Sequence, residues 1–288
     1  MVVFCDPVGS GGLVGADFAE VVAGLVGQDY ESLQYLFFLV GPDDEVRHAY
    51  ESHIAQHLPL AAVRKVEGNP GYGPTQNAAA RLVEGDNGLF LFLHDDVCLA
   101  SNAVSELVTE LSRSNAAVVG PKLVQWDDPS LLQHVGMGVD RCGEIDPIVL
   151  PGEKDQQQHD AVADVFCLPS ACLLVRSDLF RTLGGFHPGI TFGGEEMDLC
   201  WRVHLTGGRV VVVPSAVARH RENFTSRQPL IELTTMSETH RVATVLSCTS
   251  GARLLPVFIQ MLGLSLLELP VAIATGKWKQ GVAALRAT

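Results

Sequence analysis

The 288-residue sequence predicts an α/β fold with a mostly parallel, mixed central sheet flanked by helices. Short apolar runs alternate with segments whose apolar residues recur at helical spacing over the first two-thirds of the chain. The apolar runs end at turn-forming pairs such as Asp6-Pro7 and Gly41-Pro42. Strands alternating with helices of about 10–15 residues are the pattern of βαβ units, which build parallel sheets.

The elements follow in order. Val2 to Cys5 is a short apolar strand that runs into Asp6, Pro7 and a Gly-rich loop. Phe18, Val21, Val22 and Leu25 mark the inward face of a helix. Tyr35 to Val40 and Ala61 to Val66 are further strands, and Thr75 to Val83 predicts a helix with Pro74 at its entry. Leu89 to Leu93 is the clearest buried strand. Ser101 is expected to cap a helix whose inward face carries Val104, Leu107, Val108 and Leu111. The polar, acidic stretch 125–164 reads as an excursion over the sheet and part of a substrate cleft. Val165 to Val175 and Arg209 to Val213 are strand-like, Arg219 to Arg227 a basic loop, and Glu232 to Cys248 a helix. Two units are expected, a main domain over 1–250 and an apolar helical segment over 251–288.

Composition narrows the function. With 47% hydrophobic and 18% charged residues the chain can bury a sizeable core. A net charge of -13 repels phosphate backbones and argues against nucleic acid as a partner. A nucleotide stays compatible, because a bound divalent cation reverses the local field. The cysteines are odd in number and include no CxxC pair, which predicts buried free thiols in a reducing cytoplasm. The run between Met1 and Asp6 is too short for the apolar region of a signal peptide. Leu254 to Thr275 is nearly uncharged, broken by Glu268, Pro256 and Pro270 and followed by Lys277-Trp278-Lys279. About 20 apolar residues span a bilayer, and a Trp between lysines suits its interface. Membrane contact through 254–279 is therefore expected, against the alternative of a helix packed on the domain or in a dimer.

In a parallel sheet the ligand crevice lies beyond the carboxyl ends of the strands. Those ends here are Asp6, Gly41 and the His94-Asp95-Asp96 cluster. Carboxylates leaving a buried strand are unfavourable unless solvated or neutralised. A divalent cation such as Mg²⁺ or Mn²⁺ neutralises them and can assist a phosphate leaving group; the alternative is a strand-end turn capped by the aspartates. Farther on, Glu195, Glu196 and Asp198 cluster where a helix begins, after Gly193-Gly194. Such acids complement a helix dipole, yet Glu195 and Glu196 are also both candidate general bases. His220, soon after a strand, is either structural or a ligand.

Five segments recur in a recognisable order: Asn69-Pro70-Gly71-Tyr72-Gly73-Pro74-Thr75-Gln76-Asn77, Leu91-Phe92-Leu93-His94-Asp95-Asp96, Gly184-Gly185-Phe186, Gly194 through Arg202, and Val213-Pro214 with His220. Over about residues 1–250 the chain resembles the family-two glycosyltransferases of the Rossmann-like GT-A fold, near the rhamnosyl- and galactofuranosyl-transferase branch of actinobacterial type. The resemblance implies an inverting, metal-dependent, hexosyl-type transferase. It would move sugar from a nucleotide donor, UDP- or dTDP-linked, to a glycan or lipid-linked acceptor in cell-envelope polysaccharide synthesis, at the cytoplasmic face of the membrane. It implies Asp96, His220 and Asp95 as metal ligands and Glu196, usually Asp in the family, as catalytic base. Asp6, Gly71, Gly73, Asn77, His94 and Asp95 would line the donor pocket, and Asp198, Trp201 and Arg202 would lie beside the acceptor. Two departures stand out: Gly41 occupies the place of a base-reading Asp, with Asp43 and Asp44 nearby, and Glu196 is one methylene longer than Asp. They keep open a catalytically silent binding or scaffold module. A sugar nucleotidyltransferase ranks lower, because no Gly-rich loop bearing Arg and Lys follows the first strand.

Overall fold

The computed structural model describes residues 1–6, 14–41, 44–85, 87–222, 230–276, 281–282 and 284–285. The Gly-rich loop after Asp6, Asp43, most of the basic segment before Arg227, and Lys277-Trp278-Lys279 lie outside the described residues.

The elements run β1 (Val2–Cys5), α1 (Ala16–Val26), β2 (Leu36–Val40), α2 (Asp44–His57), β3 (Ala62–Val66), α3 (Tyr72–Leu82), β4 (Leu89–His94), β5 (Val97–Leu99) and α4 (Ala103–Ser114). They continue with β6 (Val118–Gln125), β7 (Leu132–His134), β8 (Met137–Val139), β9 (Ile145–Pro147), β10 (Ala163–Asp164), β11 (Cys172–Arg176), α5 (Ser177–Thr182), α6 (Glu195–Leu205), β12 (Val210–His220), α7 (Leu230–Cys248) and α8 (Gly251–Ala274). The main sheet has the order β10-β12-β6-β11-β4-β1-β2-β3, with β5 added on β12 and β7 on β6. β3, β2, β1 and β4 are parallel, as the alternating pattern predicts. β11 enters antiparallel between β4 and β6, and β12 returns parallel to β6. The strand order reverses between β1 and β4, and a crevice opens at such a switch point. Asp6 leaves β1 there, and His94, Asp95 and Asp96 leave β4.

Strand alternation divides the core. Leu91 and Leu93 of β4 face the side of α1 and α4, with Phe18, Val21 and Leu107. Phe90 and Phe92 face the other side, with Tyr72, Phe180, Phe186 and Leu199. Burial of each such side chain contributes about 1.5–3 kcal/mol. Aromatic rings lead from this second core up to the crevice. Phe92 meets Phe186 at 5.3 Å, Phe186 meets Tyr72 at 5.7 Å, and Tyr72 meets His94 at 4.7 Å, all edge-on.

Several expectations change. Helix α2 falls in a stretch without an obvious apolar face, because its buried positions, Val46, Arg47, Tyr50 and Ile54, include an arginine. That Arg47 donates to the carbonyl of Gly41 at 3.0 Å and pairs with Asp44. Gly41 has φ +116°, a backbone that disfavours an aspartate there. Ser101 is not the cap of α4: the helix starts at Ala103, and its Val104 N–H donates to Gln28 Oε1 at 3.1 Å, a cap supplied from the end of α1. Pro74 sits inside the first turn of α3, where its missing N–H has no intrahelical partner to lose. Of 165–175, only Cys172–Arg176 joins the sheet as β11. β12 runs on to His220 through an irregularity between Val213 and Val217, which absorbs Pro121 of β6 opposite.

The excursion is pinned to the sheet by buried Lys122 of β6, whose Nζ lies 2.7 Å from both Asp155 and Asp160. Lys122→Ala is expected to lower unfolding stability by about 2–3 kcal/mol, less than for a fully buried pair because Asp160 is half exposed. The shift of a urea denaturation midpoint measures it.

Candidate active site

Two features of strand geometry gather the crevice residues. Strand β4 ends at His94, and the turn after it sets Asp96 on the cavity wall with His94, with Asp95 between them. Asp95 accepts the N–H of Asp6 at 3.0 Å and ties β1 to the end of β4. β5 then pairs antiparallel with β12 so that His220 stands opposite Val97, and the Arg221 N–H donates to the Asp96 carbonyl at 3.1 Å. This register carries the His220 imidazole to Asp96, with Nε2 3.5 Å from Oδ1. His94 Nδ1 lies 3.9 Å from the same oxygen.

The result is a group of His94, Asp96 and His220 whose potential ligand atoms lie within 4.8 Å of one another. His94 therefore stands where the expected set had Asp95. His220 Nδ1 is 3.0 Å from Gln133 Oε1, a contact that orients the ring so that Nε2 faces Asp96. The cavity at this point has a volume of about 120 Å³ and takes in Asp6, Asp95, Asp96, Glu195 and Glu196. No Lys or Arg is among the described residues lining it. A carboxylate shared between two imidazoles, on the wall of an acid-rich cavity, fits a divalent cation.

The opposite wall is the start of α6. Glu195 is buried and Glu196 half-buried, and each has a buried Oε2 without a hydrogen-bond partner. Burial, reinforced by the charge of Glu196, pushes the Glu195 carboxyl up to about 8. Burial also raises Glu196, opposed by backbone N–H groups and by the nearby His134 imidazole. Glu195 thus holds its proton at neutral pH, and Glu196 is the more accessible carboxylate. The turn that aims them is held from α7. Buried His240 turns Nδ1 to the carbonyls of Phe192 at 3.0 Å and Gly193 at 2.8 Å, and two carbonyl partners require that Nδ1 be the donor. His240→Ala is expected to lower kcat about 10- to 100-fold with donor KM unchanged, because a base displaced by ~1 Å loses about that much. His240→Asn, whose amide N–H also reaches a carbonyl, should restore part of it. Steady-state kinetics of nucleoside diphosphate release separate the two parameters.

Other predicted residues serve the scaffold. Asn77 brackets Phe186, donating to its carbonyl at 2.7 Å and accepting its N–H at 2.9 Å. Gly71 lies flush on Thr191, where a Cβ would come within 2.6 Å of the carbonyl, and Gly73 packs on Ile190 and Phe186. None of the three lines the cavity. Asp6 does, and its Oδ2 accepts from Asn69 at 3.0 Å. Asp198 is buried and paired with Arg202, which also donates to the Leu183 carbonyl at 2.9 Å. Trp201 packs edge-on to Phe166 and against the cluster of Cys142, Val242, Val245 and Met261. Those three expected acceptor contacts therefore lie in packing around α6, not along the cavity. Sequence reasoning missed Gln133 and His240 altogether. Each is a single polar residue in an ordinary element, with no neighbouring pattern to mark it.

Comparison with known proteins agrees with the geometry. The family described as "Glycosyl transferase family 2" matches residues 15–184. The O-antigen biosynthesis protein RfbC of Myxococcus xanthus is 27% identical over 170 residues, 56% of this chain and 13% of that protein. The pre-mycofactocin glycosyltransferase of Mycobacterium tuberculosis is 30% identical over 132 residues, 45% of this chain and 26% of that protein. The chain thus spans a minor part of the length of these relatives. Among solved structures, GalNAc-T7 with UDP, GalNAc and Mn²⁺ superposes with a TM-score of 0.64 at 13% identity, over 85% of this chain and 46% of that one. The mannosyltransferase PcManGT of Pyrobaculum calidifontis, in complex with GDP-Man and Mn²⁺, gives 0.56 at 14% identity over 98% and 85%. These structures share the GT-A fold, and with the family match over more than half its length the chain belongs to glycosyl transferase family 2.

Proposed function

We propose that the chain is an inverting, cation-dependent transferase that moves a hexosyl group from a UDP- or dTDP-linked donor to a hydroxyl of a glycan or lipid-linked acceptor in cell-envelope polysaccharide synthesis. The observation that carries this reading is the grouping of His94, Asp96 and His220 beside a cavity at the switch point that His94 and Asp96 line together with Glu196. The O-antigen relative and the nucleotide-sugar complexes among similar structures support the substrate classes.

Glu196 accepts the proton of the acceptor hydroxyl as its oxygen attacks the anomeric carbon, and the bond from that carbon to the diphosphate oxygen breaks on the opposite face. Glu195, neutral beside it, keeps a second negative charge out of the base's surroundings. His94, Asp96 and His220 would hold Mg²⁺ or Mn²⁺, which supplies charge stabilisation for the departing diphosphate. Of the two ions, imidazole nitrogens favour Mn²⁺, since Mg²⁺ prefers an all-oxygen shell. Asp95 bonds the Asp6 amide and shapes the floor of the donor side.

Helix α8 supports a membrane location. It is 24 residues long, its most apolar 18-residue stretch has mean hydropathy 1.9, and it is the helix among the described residues long and apolar enough to cross a bilayer. Only 11% of its most apolar window is buried, and Leu255, Leu267 and Val271 are exposed. We read 251–288 as a segment that attaches the catalytic domain, residues 1–250, to the inner face of the cell membrane. Flotation with liposomes tests it, and a chain that stays at the bottom of the gradient rules it out. The catalytic reading is tested by nucleoside diphosphate release from a panel of nucleotide sugars with and without Mn²⁺; a chain that binds UDP yet hydrolyses and transfers nothing with any ion favours the silent module.

A further inference from the structure

Helix α8 has the length and composition of a spanning helix, yet its packing leaves too little of it free to span. Its first half lies on the catalytic domain. Met261 is buried in a cluster with Cys142, Val242 and Val245, and Val257 and Trp201 pack against it. Cys142 belongs to the turn between β8 and β9, and Trp201 to α6, so this level of the helix stands beside folded protein. Beyond Met261 about 13 residues of α8 remain, or about 20 Å at a rise of about 1.5 Å per residue. The hydrocarbon core of a bilayer is about 30 Å thick, so the free part is long enough for one leaflet and too short for two.

The chain then turns back. Gly276 follows the helix with φ +74°, and its N–H donates to the Ile273 carbonyl at 3.2 Å. Gly281 is already back at the level of Leu269 and Ala272: a Cβ on it would meet the Ala272 Cβ at 2.8 Å and Leu269 Cδ1 at 3.2 Å. Ala284 is buried. The segment after α8 thus returns onto the helix instead of continuing its line.

The faces of the helix divide accordingly. Met261, Ser265, Glu268 and Ala272 follow one another at four- and three-residue spacing and share one face. Glu268 is near enough to the β8–β9 turn for its charge to add to the burial that raises the Glu144 carboxyl, so the acid of α8 lies on the protein side. Leu255, Ile259, Leu266, Leu267, Val271 and Ile273 are exposed away from that face. Charge flanks both ends. Arg253 precedes the apolar stretch and Lys277, Lys279 and Arg286 follow it, in a chain of net charge -13. Basic residues beside a membrane helix stay on the cytoplasmic side, where anionic lipids attract them. A crossing helix would carry one of the two groups to the far side. The same charges favour a bilayer over a second copy of the chain, because two such segments side by side oppose like charges.

We infer that α8 is a one-leaflet anchor, whose free end dips into the inner leaflet of an anionic membrane and returns, leaving both basic flanks on the side of the catalytic domain. The inference rests on the membrane attachment read above and adds its topology.

The test uses the full chain extended after Thr288 by one of two reporters. Green fluorescent protein fluoresces when it stays in the cytoplasm, and alkaline phosphatase is active when it is exported. We expect both fusions to sediment with the membranes, with bright fluorescence and no phosphatase activity. Active phosphatase with dark fluorescent protein shows that α8 crosses, which overturns the inference and leaves membrane attachment intact. A second measurement reads the lipid-facing side. Leu267 and Val271 are 71% and 62% exposed, so the double variant Leu267→Glu, Val271→Glu should keep the fold, checked by its circular-dichroism melt. Its partition onto vesicles of phosphatidylcholine and phosphatidylglycerol should fall at least tenfold. Leu60→Glu, at a position 96% exposed and remote from α8, should bind as the wild type does. Equal partition of all three chains overturns the assigned face. A wild type that neither floats with vesicles nor sediments with membranes overturns the attachment reading itself, and a dimer in solution that the double variant dissociates makes a second copy the occupant.

Discussion

Replacing Glu196 with glutamine is expected to lower kcat for sugar transfer about 10²–10⁴-fold, the range that a positioned proton acceptor contributes. The amide is nearly isosteric, so the affinity for nucleoside diphosphate and Mn²⁺ should not change, and calorimetry beside a coupled release assay reads both. The pH profile adds a sign. Burial raises Glu196 above the usual glutamate value of about 4.3, and only its ionised form accepts a proton. The rate should therefore climb with pH along an acidic limb displaced upward from that value, and the limb should vanish in the glutamine variant. A variant as active as the wild type would remove Glu196 from the mechanism and return attention to Glu195.

Asp96→Asn is expected to have a comparable effect by another route. Asp96 is the carboxylate of the triad, and its Oδ1 faces both imidazoles. Its loss leaves two neutral nitrogens, a poor site for a hard dication. Charge stabilisation of a leaving group by a bound ion is worth several kcal/mol, so transfer should fall about 10³-fold and lose its response to added Mn²⁺. The direct readout is the free-Mn²⁺ EPR signal: titration into the wild type should deplete it, and titration into the variant should not. Undiminished Mn²⁺ binding in Asp96→Asn would place the ion elsewhere.

Much of this arrangement is written locally and is legible there. The runs around Phe4, Phe38 and Phe92 are apolar on both faces because the sheet is covered on both sides, so β1, β2 and β4 stand out. β6 does not, because Gly120, Pro121 and Lys122 interrupt it; the proline is tolerated by the irregularity in β12, and the lysine by two aspartates brought from the excursion. Asp96, Glu196 and His220 were found through familiar segment order, since a carboxylate or an imidazole alone says little. The grouping of His94 with Asp96 and His220, and the bond of Asp95 to the Asp6 amide, are properties of the folded strand end. Asn77 and Gly71 illustrate the converse. Their segment resembles a donor-lining motif, whereas their atoms hold the loop leading to α6.

The pairing of β5 with β12 has a thermodynamic corollary. It brings an imidazole from near residue 220 to a carboxylate from the first parallel half of the sheet, so an ion seated between them would clasp two distant stretches of chain. Ion affinity and resistance to unfolding then become one linked quantity, and the chain would be most robust when charged with the metal needed for turnover.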